Sequence, residues 1–195
     1  MDEVVSADEL AVRQSMPLHM KVALTQSAIR SWYDHWNGKV YASYSGGKDS
    51  TVMLHIVKDM YPDVPAVFCD TGLEYPEVRE LAMRNADVVL KPKMSFKQVI
   101  ERYGYPFPTK EQAQYIRQYR HSGSEKLRNL RWNGSVNGRF RISNRWRFLC
   151  DAPFEVSEKC CDVMKKAPFH KFERERGRLS SRRWPSSRAC ASRST

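Results

Sequence analysis

Three short β-prone runs, separated by helical patterns, set the strongest limit on what this chain can fold into. The runs are Val40–Tyr44, Ala66–Cys69 and Val88–Leu90. The second is almost wholly apolar, as expected of a strand that is covered on both faces of a sheet. Helical patterns precede, separate and follow the runs, and this alternation is typical of an open, mostly parallel sheet with helices on both faces. We therefore predict an α/β fold.

Apolar periodicity and end signals place the helices. Apolar residues recur with a period near 3.6 between Leu18 and Trp36, and Asn37-Gly38 ends this helix because glycine tolerates the left-handed conformation. The next helix is predicted to turn one apolar face inward, formed by Val52, Met53, Ile56, Val57 and Met60. A further helix is predicted to begin at Pro76, with Val78, Leu81 and Ala82 inward. Two candidate capping boxes follow, Ser95 with Gln98 and Thr109 with Gln112.

Composition divides the chain into three parts. Residues 1–17 are polar and are predicted to form a flexible N-terminal extension, whereas residues 18–173 form the predicted domain. Residues 174–195 hold seven arginines, six serines and almost no large apolar side chain. Such a segment buries too little surface to offset the entropy of ordering, so we predict a disordered tail.

The segment 110–150 is unusually basic. It holds ten basic and two acidic residues, in a chain whose net charge is +11. Residues 121–149 lose periodicity and are predicted to be loops, with a short hairpin around Asn133–Gly138, before a helical pattern returns at Ser157–Lys166. Three interpretations stay open for the cations and tryptophans of segment 110–150. They are a clamp on a phosphate or sulfate, a nucleic-acid surface, or a solvated basic face. The residues concerned are Arg117, Arg120, Arg128, Arg131, Arg139, Trp132 and Trp146.

The sequence shows no targeting signal, and its cysteine usage does not suggest disulfide bonds. We therefore expect a cytoplasmic protein. No apolar run approaches the roughly 18 residues of a membrane helix, and Met1–Val5 has neither a basic nor an apolar signal region. We expect no membrane partner. The chain has five cysteines, an odd number that argues against a disulfide framework. The adjacent pair Cys160-Cys161 is the one feature that indicates metal or redox chemistry.

The strongest chemical signal is the stretch Ser43–Thr51, between a predicted strand and a predicted helix. Two glycines let the backbone turn sharply and approach a ligand closely. The following helix offers unpaired N–H groups and a partial positive charge, Lys48 adds a full charge, and three hydroxyl residues add donors. These groups suit phosphate or sulfate oxygens. The spacing matches neither a Walker A loop nor a dinucleotide-binding G-x-G-x-x-G.

Three motifs resemble those of known families. Ser45–Ser50, with the sequence SGGKDS, resembles the S-G-G-x-D-S signature of the PP-loop, or adenine nucleotide alpha-hydrolase-like, superfamily. Asp70–Glu77 is similar to the D-T-G-x-x-[FY]-P-E stretch of the phosphoadenosine phosphosulfate (PAPS) and adenosine phosphosulfate (APS) reductases. Cys160–Pro168 is similar to the C-C-x-x-x-K-x-x-P segment of iron–sulfur APS reductases. The resemblance covers roughly residues 20–173 and implies the Rossmann-like fold of this superfamily.

The resemblance also implies a ligand and a site. The ligand is an adenine nucleotide, either PAPS, APS or ATP, the last with Mg²⁺, and a thioredoxin-like reductant is an expected partner. Three functions stay open: reduction of the sulfonucleotide to sulfite, adenylyl transfer by an ATP pyrophosphatase-type enzyme in sulfur transfer or nucleic-acid modification, and nucleotide binding without turnover. The implied phosphate-binding residues are Ser43, Tyr44, Ser45, Gly46, Gly47, Lys48, Asp49 and Ser50, with Asp70, Thr71 and Gly72 lining the same crevice.

The chain departs from the reductase pattern toward its end. The family's E-C-G-[LI]-H segment, which carries the nucleophilic cysteine, does not occur in the sequence. After Cys161 the one remaining cysteine is Cys190, so a four-cysteine iron–sulfur cluster would require a full-length form. We therefore expect a C-terminally truncated or frame-shifted member of the family. Its catalytic residues stay unassigned, and Cys160 and Cys161 are candidate metal or iron–sulfur ligands.

Overall fold

The structure is a computed structural model that describes residues 6–180, with the backbone alone at residues 179 and 180. The chain divides into two compact units, one formed by residues 6–69, 74–90 and 171–180 and the other by residues 70–73 and 91–170. The elements in chain order are α1 (Ala7–Ser15), α2 (Leu18–His35), β1 (Val40–Tyr44), α3 (Lys48–Met60), β2 (Ala66–Cys69), α4 (Pro76–Asn85), β3 (Val88–Leu90), α5 (Phe96–Tyr103), α6 (Lys110–His121), α7 (Glu125–Asn133), a 3-10 helix (Asn144–Cys150), a π-helical turn (Asp162–Lys166), α8 (Ala167–Arg176) and β4 (Leu179–Ser180).

The first unit contains a parallel sheet with the strand order β3-β2-β1-β4. β1 pairs with β2 so that Tyr44 lies opposite Phe68, and β4 pairs with the start of β1 on its other side. The chain thus runs from β1 to β2 on one side but reaches β4 on the other. Ligands of open α/β sheets bind outside the carboxyl ends of the strands where the strand order reverses in this way. The predicted α/β fold is confirmed.

Burial of the central strands holds the first unit together. All four residues of β2 are buried, as the apolar run predicted, and Trp32 of α2 and Val57 of α3 belong to the same core. Asp87 fixes the start of β3, because its carboxylate accepts hydrogen bonds from the Ala66 N–H at 2.7 Å and from the Lys58 ammonium at 2.8 Å. Burial acts to raise the pKa of Asp87, but these donors outweigh it and the pKa is lowered.

The second unit is built around α6 and has its own core. Ile116 of α6 packs in one cluster with Ile142, Leu149 and Val156. A half-buried ion pair lies beside this core, in which Arg117 donates three hydrogen bonds of 2.7–3.2 Å to the buried carboxylate of Glu158. This unit therefore combines apolar packing with charge-assisted hydrogen bonds, which are the stronger kind.

The strands and most helices lie where the sequence predicted them, with two differences in the helices and three in the buried side chains. The helix α7 occupies a region predicted to be loops, and its Ser124 cap accepts a hydrogen bond from the Leu127 N–H at 3.3 Å. The helix predicted from residue 157 begins instead at Cys160. On α3 and α4, Val52 and Leu81 are exposed rather than inward, and Leu54, which was not predicted, is buried.

The capping boxes differ from each other. Ser95 and Gln98 bond reciprocally, as predicted. Thr109 accepts a hydrogen bond from the Gln112 N–H at 3.2 Å, but the Gln112 side chain does not complete the second box. It bonds instead to the Ser143 N–H at 2.8 Å and to the Arg141 carbonyl at 3.3 Å, because that loop offers a free donor and acceptor.

Both predicted terminal segments contain regular structure. Residues 7–15 of the expected extension form α1, in which Ser6 caps the helix and no residue is buried. At the other end, α8 continues to Arg176 because Phe172 is buried against Tyr41, and β4 follows. The remainder of the predicted tail, with Cys190, lies outside the described residues. Within residues 6–180, none of the helices combines the length and the hydropathy that a membrane span requires.

Candidate functional site

The predicted anion-binding stretch connects β1 to α3. Ser43 and Tyr44 are the last residues of β1, Ser45–Gly47 form the turn, and Lys48 is the first residue of α3. The turn therefore leaves the carboxyl end of the strand at which the strand order reverses. This is the place where the fold offers a ligand site.

Gly46 fixes the path of the turn. Its φ is +75°, a left-handed conformation that side chains other than glycine rarely adopt. A Cβ at this position would lie 2.7 Å from the Val78 carbonyl oxygen and 3.2 Å from the Ala82 Cβ. The turn thus lies directly against α4. The sequence did not predict this contact with α4, apart from the small inward residue at position 82.

The hydroxyl groups of the turn bond to one another and to the backbone. The Ser45 and Ser50 hydroxyls are 3.0 Å apart, and the Ser50 hydroxyl donates to the Gly47 carbonyl at 2.9 Å. The Thr51 hydroxyl donates to the same carbonyl at 2.9 Å and lies 3.4 Å from the hydroxyl of the buried Tyr44. These contacts hold the turn in one shape before any ligand arrives.

The N-terminus of α3 is left without a side-chain cap. Gly47 occupies the N-cap position with an extended backbone and contributes no side-chain acceptor. The first N–H groups of a helix have no partner within the helix and carry a partial positive charge. Lys48 and Asp49 are exposed in this first turn, and Ser43 is half-buried. The turn can therefore offer N–H groups, hydroxyls and one ammonium to an anion.

Asp70, Thr71 and Gly72 continue the chain directly from β2 and belong to the second unit. Asp70 and Thr71 are buried, and their side chains accept hydrogen bonds from the backbone two residues on, at 3.3 Å from the Gly72 N–H and 3.4 Å from the Leu73 N–H. Gly72 has a φ of +74°, which explains the glycine. Their predicted role in lining the crevice of the nucleotide stays a prediction.

The adjacent cysteines lie beside Thr71. Cys160 and Cys161 line a small, mainly apolar cavity of about 100 Å³ together with Thr71, Leu73, Phe96, Met164 and Lys165. Their sulfur atoms are 3.9 Å apart. Burial and the neighbouring Cys161 raise the pKa of the Cys160 thiol, and burial raises that of Cys150.

The surroundings of these cysteines bear on their predicted role as metal ligands. Among the described residues, no group of three or more histidine, cysteine or acidic side chains converges on a point that a metal ion would occupy. Two thiols alone do not fit a four-thiolate cluster. The predicted ligand role of Cys160 and Cys161 stays a prediction.

Most of the arginines considered for an anion clamp are engaged within the second unit. Arg117 pairs with Glu158, and Arg120 donates to the Phe154 carbonyl at 2.7 Å. Arg131 donates to the Gln118 side chain at 2.8 Å and to the Phe140 carbonyl at 2.9 Å. The remaining two, Arg128 and Arg139, are exposed.

Comparison with known proteins gives one family and two distant relatives. Residues 39–139 match the model of the phosphoadenosine phosphosulfate reductase domain. An uncharacterised protein of Methanocaldococcus jannaschii is 35% identical over 89 residues, which cover 41% of this chain and 21% of that protein. A phosphoadenosine 5'-phosphosulfate reductase of Thiocapsa roseopersicina is 28% identical over 81 residues, covering 42% of this chain and 34% of the enzyme. The matches thus span about a fifth and a third of these relatives.

Proposed function

Because the chain belongs to the phosphoadenosine phosphosulfate reductase family, we propose that it binds an adenine sulfonucleotide, PAPS or APS, through the turn between β1 and α3. The observation that carries the proposal is the uncapped N-terminus of α3, held against α4 by Gly46. Anions bind at helix N-termini because the N–H groups and the helix dipole both favour negative charge.

Most groups of the turn have a role in this proposal. The N–H groups of the first turn of α3 donate to the phosphate or sulfate oxygens, and the Ser45 hydroxyl rotates away from Ser50 to donate to the same oxygens. The Lys48 ammonium neutralises charge, while the Ser50 hydroxyl stays bonded to the Gly47 carbonyl. Gly47 leaves space for a close approach, since a Cβ there would meet nothing nearer than the Ser45 hydroxyl oxygen at 3.5 Å. The Thr51 hydroxyl holds the turn in place through the Gly47 carbonyl and lies next to the Tyr44 hydroxyl.

The proposed reaction is reductive cleavage of the sulfonucleotide. A thiolate attacks the sulfur atom of the sulfonucleotide, the bond between sulfur and the phosphate oxygen breaks, and the electron pair leaves with the nucleotide. A second thiol of the reductant then attacks the sulfonated thiol, which releases sulfite and forms a disulfide. The turn stabilises the charge that develops on the leaving phosphate.

A thioredoxin-like protein is the thiol source in this proposal. The thiolate is the reactive form of a cysteine, and a raised pKa lowers its fraction at neutral pH. Burial raises the pKa of Cys150 and Cys160, so neither is predisposed to attack. An external dithiol supplies both the nucleophile and the two electrons that the reduction needs.

Ligand choice and product formation test the proposal. We expect adenosine 3′,5′-bisphosphate or APS to raise the melting temperature and to bind in calorimetry, and thioredoxin with PAPS or APS to release sulfite. Binding of ATP–Mg²⁺ in preference to these ligands, with release of pyrophosphate, would instead indicate an ATP pyrophosphatase-type enzyme. Nucleotide binding without sulfite release would leave a nucleotide-binding protein. Absence of binding by any of the three nucleotides would contradict the proposal.

A further inference from the structure

The second unit carries a basic segment that the nucleotide site does not use. Between Lys126 and Cys150 the sequence has seven basic residues and no acidic one. Two of the seven, Arg131 and Arg147, donate hydrogen bonds within the unit. The other five are exposed, and none forms an ion pair with a carboxylate of the described residues; they are Lys126, Arg128, Arg139, Arg141 and Arg145.

The two internal arginines give this segment a fixed shape. Arg147 donates to the Trp132 carbonyl at 2.7 Å and lies over the indole ring at 4.3 Å. The indole stacks on Tyr119 with centroids 5.1 Å apart, and Arg128 lies 5.5 Å from the Tyr119 ring. Arg131 anchors the following loop through the Phe140 carbonyl. The exposed cations are therefore displayed on an ordered framework rather than on a flexible arm.

Two exposed aromatic side chains lie close in sequence to the exposed cations. Phe140 stands between Arg139 and Arg141 and is 53% exposed, and its φ of +66° is a conformation that bulky residues rarely adopt. Phe148 is 64% exposed on the 3-10 helix. It lies three positions after Arg145, the spacing at which side chains of a 3-10 helix align.

A further aromatic pair extends this surface. The Trp146 ring packs edge-on against Phe107 with centroids 5.2 Å apart, and the Arg145 guanidinium lies over it at 4.7 Å. Phe107 is itself exposed. The surface thus presents cations and aromatic rings side by side.

We infer that this surface, from α7 through the 3-10 helix, binds single-stranded nucleic acid. Unpaired arginines attract the phosphate backbone, and exposed aromatic rings and guanidinium groups stack on unpaired bases. An acidic protein would match the charge but would leave Phe140 and Phe148 without a flat partner. A duplex would match the charge but keeps its bases stacked on each other. A single strand supplies both the charge and the accessible base faces.

Fluorescence anisotropy of the whole 195-residue chain with fluorescein-labelled 12-nucleotide strands tests this inference. We expect mixed-sequence single-stranded DNA or RNA to bind more tightly than the corresponding duplex. Neutralising about five phosphates predicts that log K falls against log[salt] with a slope of about −3.5 for a single strand. The comparison of DNA with RNA identifies the natural strand.

Matched variants locate the binding. Phe148→Ala should weaken single-strand binding by at least about fivefold, the lower end for a stacked base, and should leave duplex binding unchanged. Arg145→Gln should reduce the salt slope by about 0.7. Lys97→Gln on α5 removes the same charge from an exposed site outside the surface and should change neither quantity. Thermal unfolding checks that each variant is folded.

Three outcomes would overturn the inference. Equal affinity for single strands, duplex and heparin, without an effect of Phe148→Ala, would show a merely basic surface. Equal losses in Arg145→Gln and Lys97→Gln would place the binding elsewhere in the chain. Binding to phosphatidylserine vesicles without binding to oligonucleotides would assign the surface to a membrane. Each of these results is independent of nucleotide binding at the β1–α3 turn.

Discussion

The two cationic regions of this chain obtain their positive potential in different ways. The turn between β1 and α3 has one lysine and relies on backbone N–H groups at a helix start. The surface from α7 through the 3-10 helix has five exposed cationic side chains, and the N-terminus of α7 is capped by the Ser124 side chain. The first suits one compact anion, whereas the second suits an extended polyanion. Charge alone therefore does not distinguish the two regions, and our two ligand proposals rest on the arrangement of the donors.

Among these variants, Gly46→Ala should have the largest effect on stability and ligand binding. It should disrupt the turn between β1 and α3 and leave the surface from α7 through the 3-10 helix unchanged. The new Cβ would lie 2.7 Å from the Val78 carbonyl oxygen in a left-handed backbone. Strain and overpacking of this kind should lower the free energy of unfolding by about 3 kcal/mol and abolish nucleotide binding. Denaturant unfolding and calorimetry with adenosine 3′,5′-bisphosphate measure the two effects.

Two other glycines serve as controls for that variant. Gly123→Ala meets no atom within 4 Å and has no positive φ, so it should leave stability and nucleotide binding nearly unchanged. Gly47→Ala should keep stability but weaken nucleotide binding, because it narrows the approach to the helix start. Normal stability and binding in Gly46→Ala would refute the assigned geometry of the turn.

Glu158→Gln should destabilise the second unit by a comparable free energy. It removes the charge that accepts three hydrogen bonds from Arg117, and loss of such a pair should lower the free energy of unfolding by about 2 kcal/mol. Glu101→Gln, which removes a carboxylate from an exposed pair on α5, is the matched control and should change it by less than about 0.5 kcal/mol.

The same pair predicts a pH dependence. Burial acts to raise the pKa of Glu158, but the hydrogen bonds and charge of Arg117 outweigh it, so the pKa lies below its ordinary value of 4.5. A carboxylate whose pKa is lower in the folded than in the unfolded state stabilises the folded state above pH 4.5. This contribution is lost as the pH falls through the pKa of the folded state. The stability difference between the natural chain and Glu158→Gln should therefore shrink at acid pH. A constant difference from pH 7 to pH 3 would disprove the assignment.

Lys48→Ala should sharpen the contrast between the two cationic regions. It should weaken the binding of adenosine 3′,5′-bisphosphate by about 1–3 kcal/mol, the range for a charged hydrogen bond, without a loss of stability. The affinity for single-stranded oligonucleotides should not change. Lys97→Ala, again on α5, controls for the loss of one exposed charge. An unchanged nucleotide affinity would remove Lys48 from the site.

Gln112→Ala should have the smallest effect and concerns the second region. Its side chain holds the loop before the 3-10 helix through Ser143 and Arg141, so its loss should cost about 1 kcal/mol of stability and slightly weaken oligonucleotide binding. Gln114→Ala on the same helix is the control and should change neither. Identical results for the two variants would show that this bridge is not needed.

The sequence predicted the first region better than the second for a physical reason. β1, β2 and the turn depend on local signals, namely a buried apolar run and two glycines in a fixed order, and β1 and β2 lie at the predicted residues. The helix α7 was missed because its apolar positions are few and it is fixed by the Ser124 cap and by packing on α6. Local patterns do not report such contacts.

The side chains of the second region show the same limit. Arg131 and Arg128 are indistinguishable in sequence, yet one is tied to Gln118 and Phe140 and the other is exposed. Likewise, the inward face of α3 was misplaced at Val52 and Leu54, because the partners of a helix decide which flank of its apolar stripe is covered. The contact of α4 with Gly46 likewise joins residues more than 30 positions apart in the sequence, so no local pattern predicts it.

Backbone amide chemical shifts test the central claim most directly. We predict that adenosine 3′,5′-bisphosphate added to the ¹⁵N-labelled protein moves the amide signals of Gly46–Ser50 most, and that those of α7 and the 3-10 helix move little. Large shifts confined to α7 and the 3-10 helix, with the signals of Gly46–Ser50 unmoved, would contradict the account.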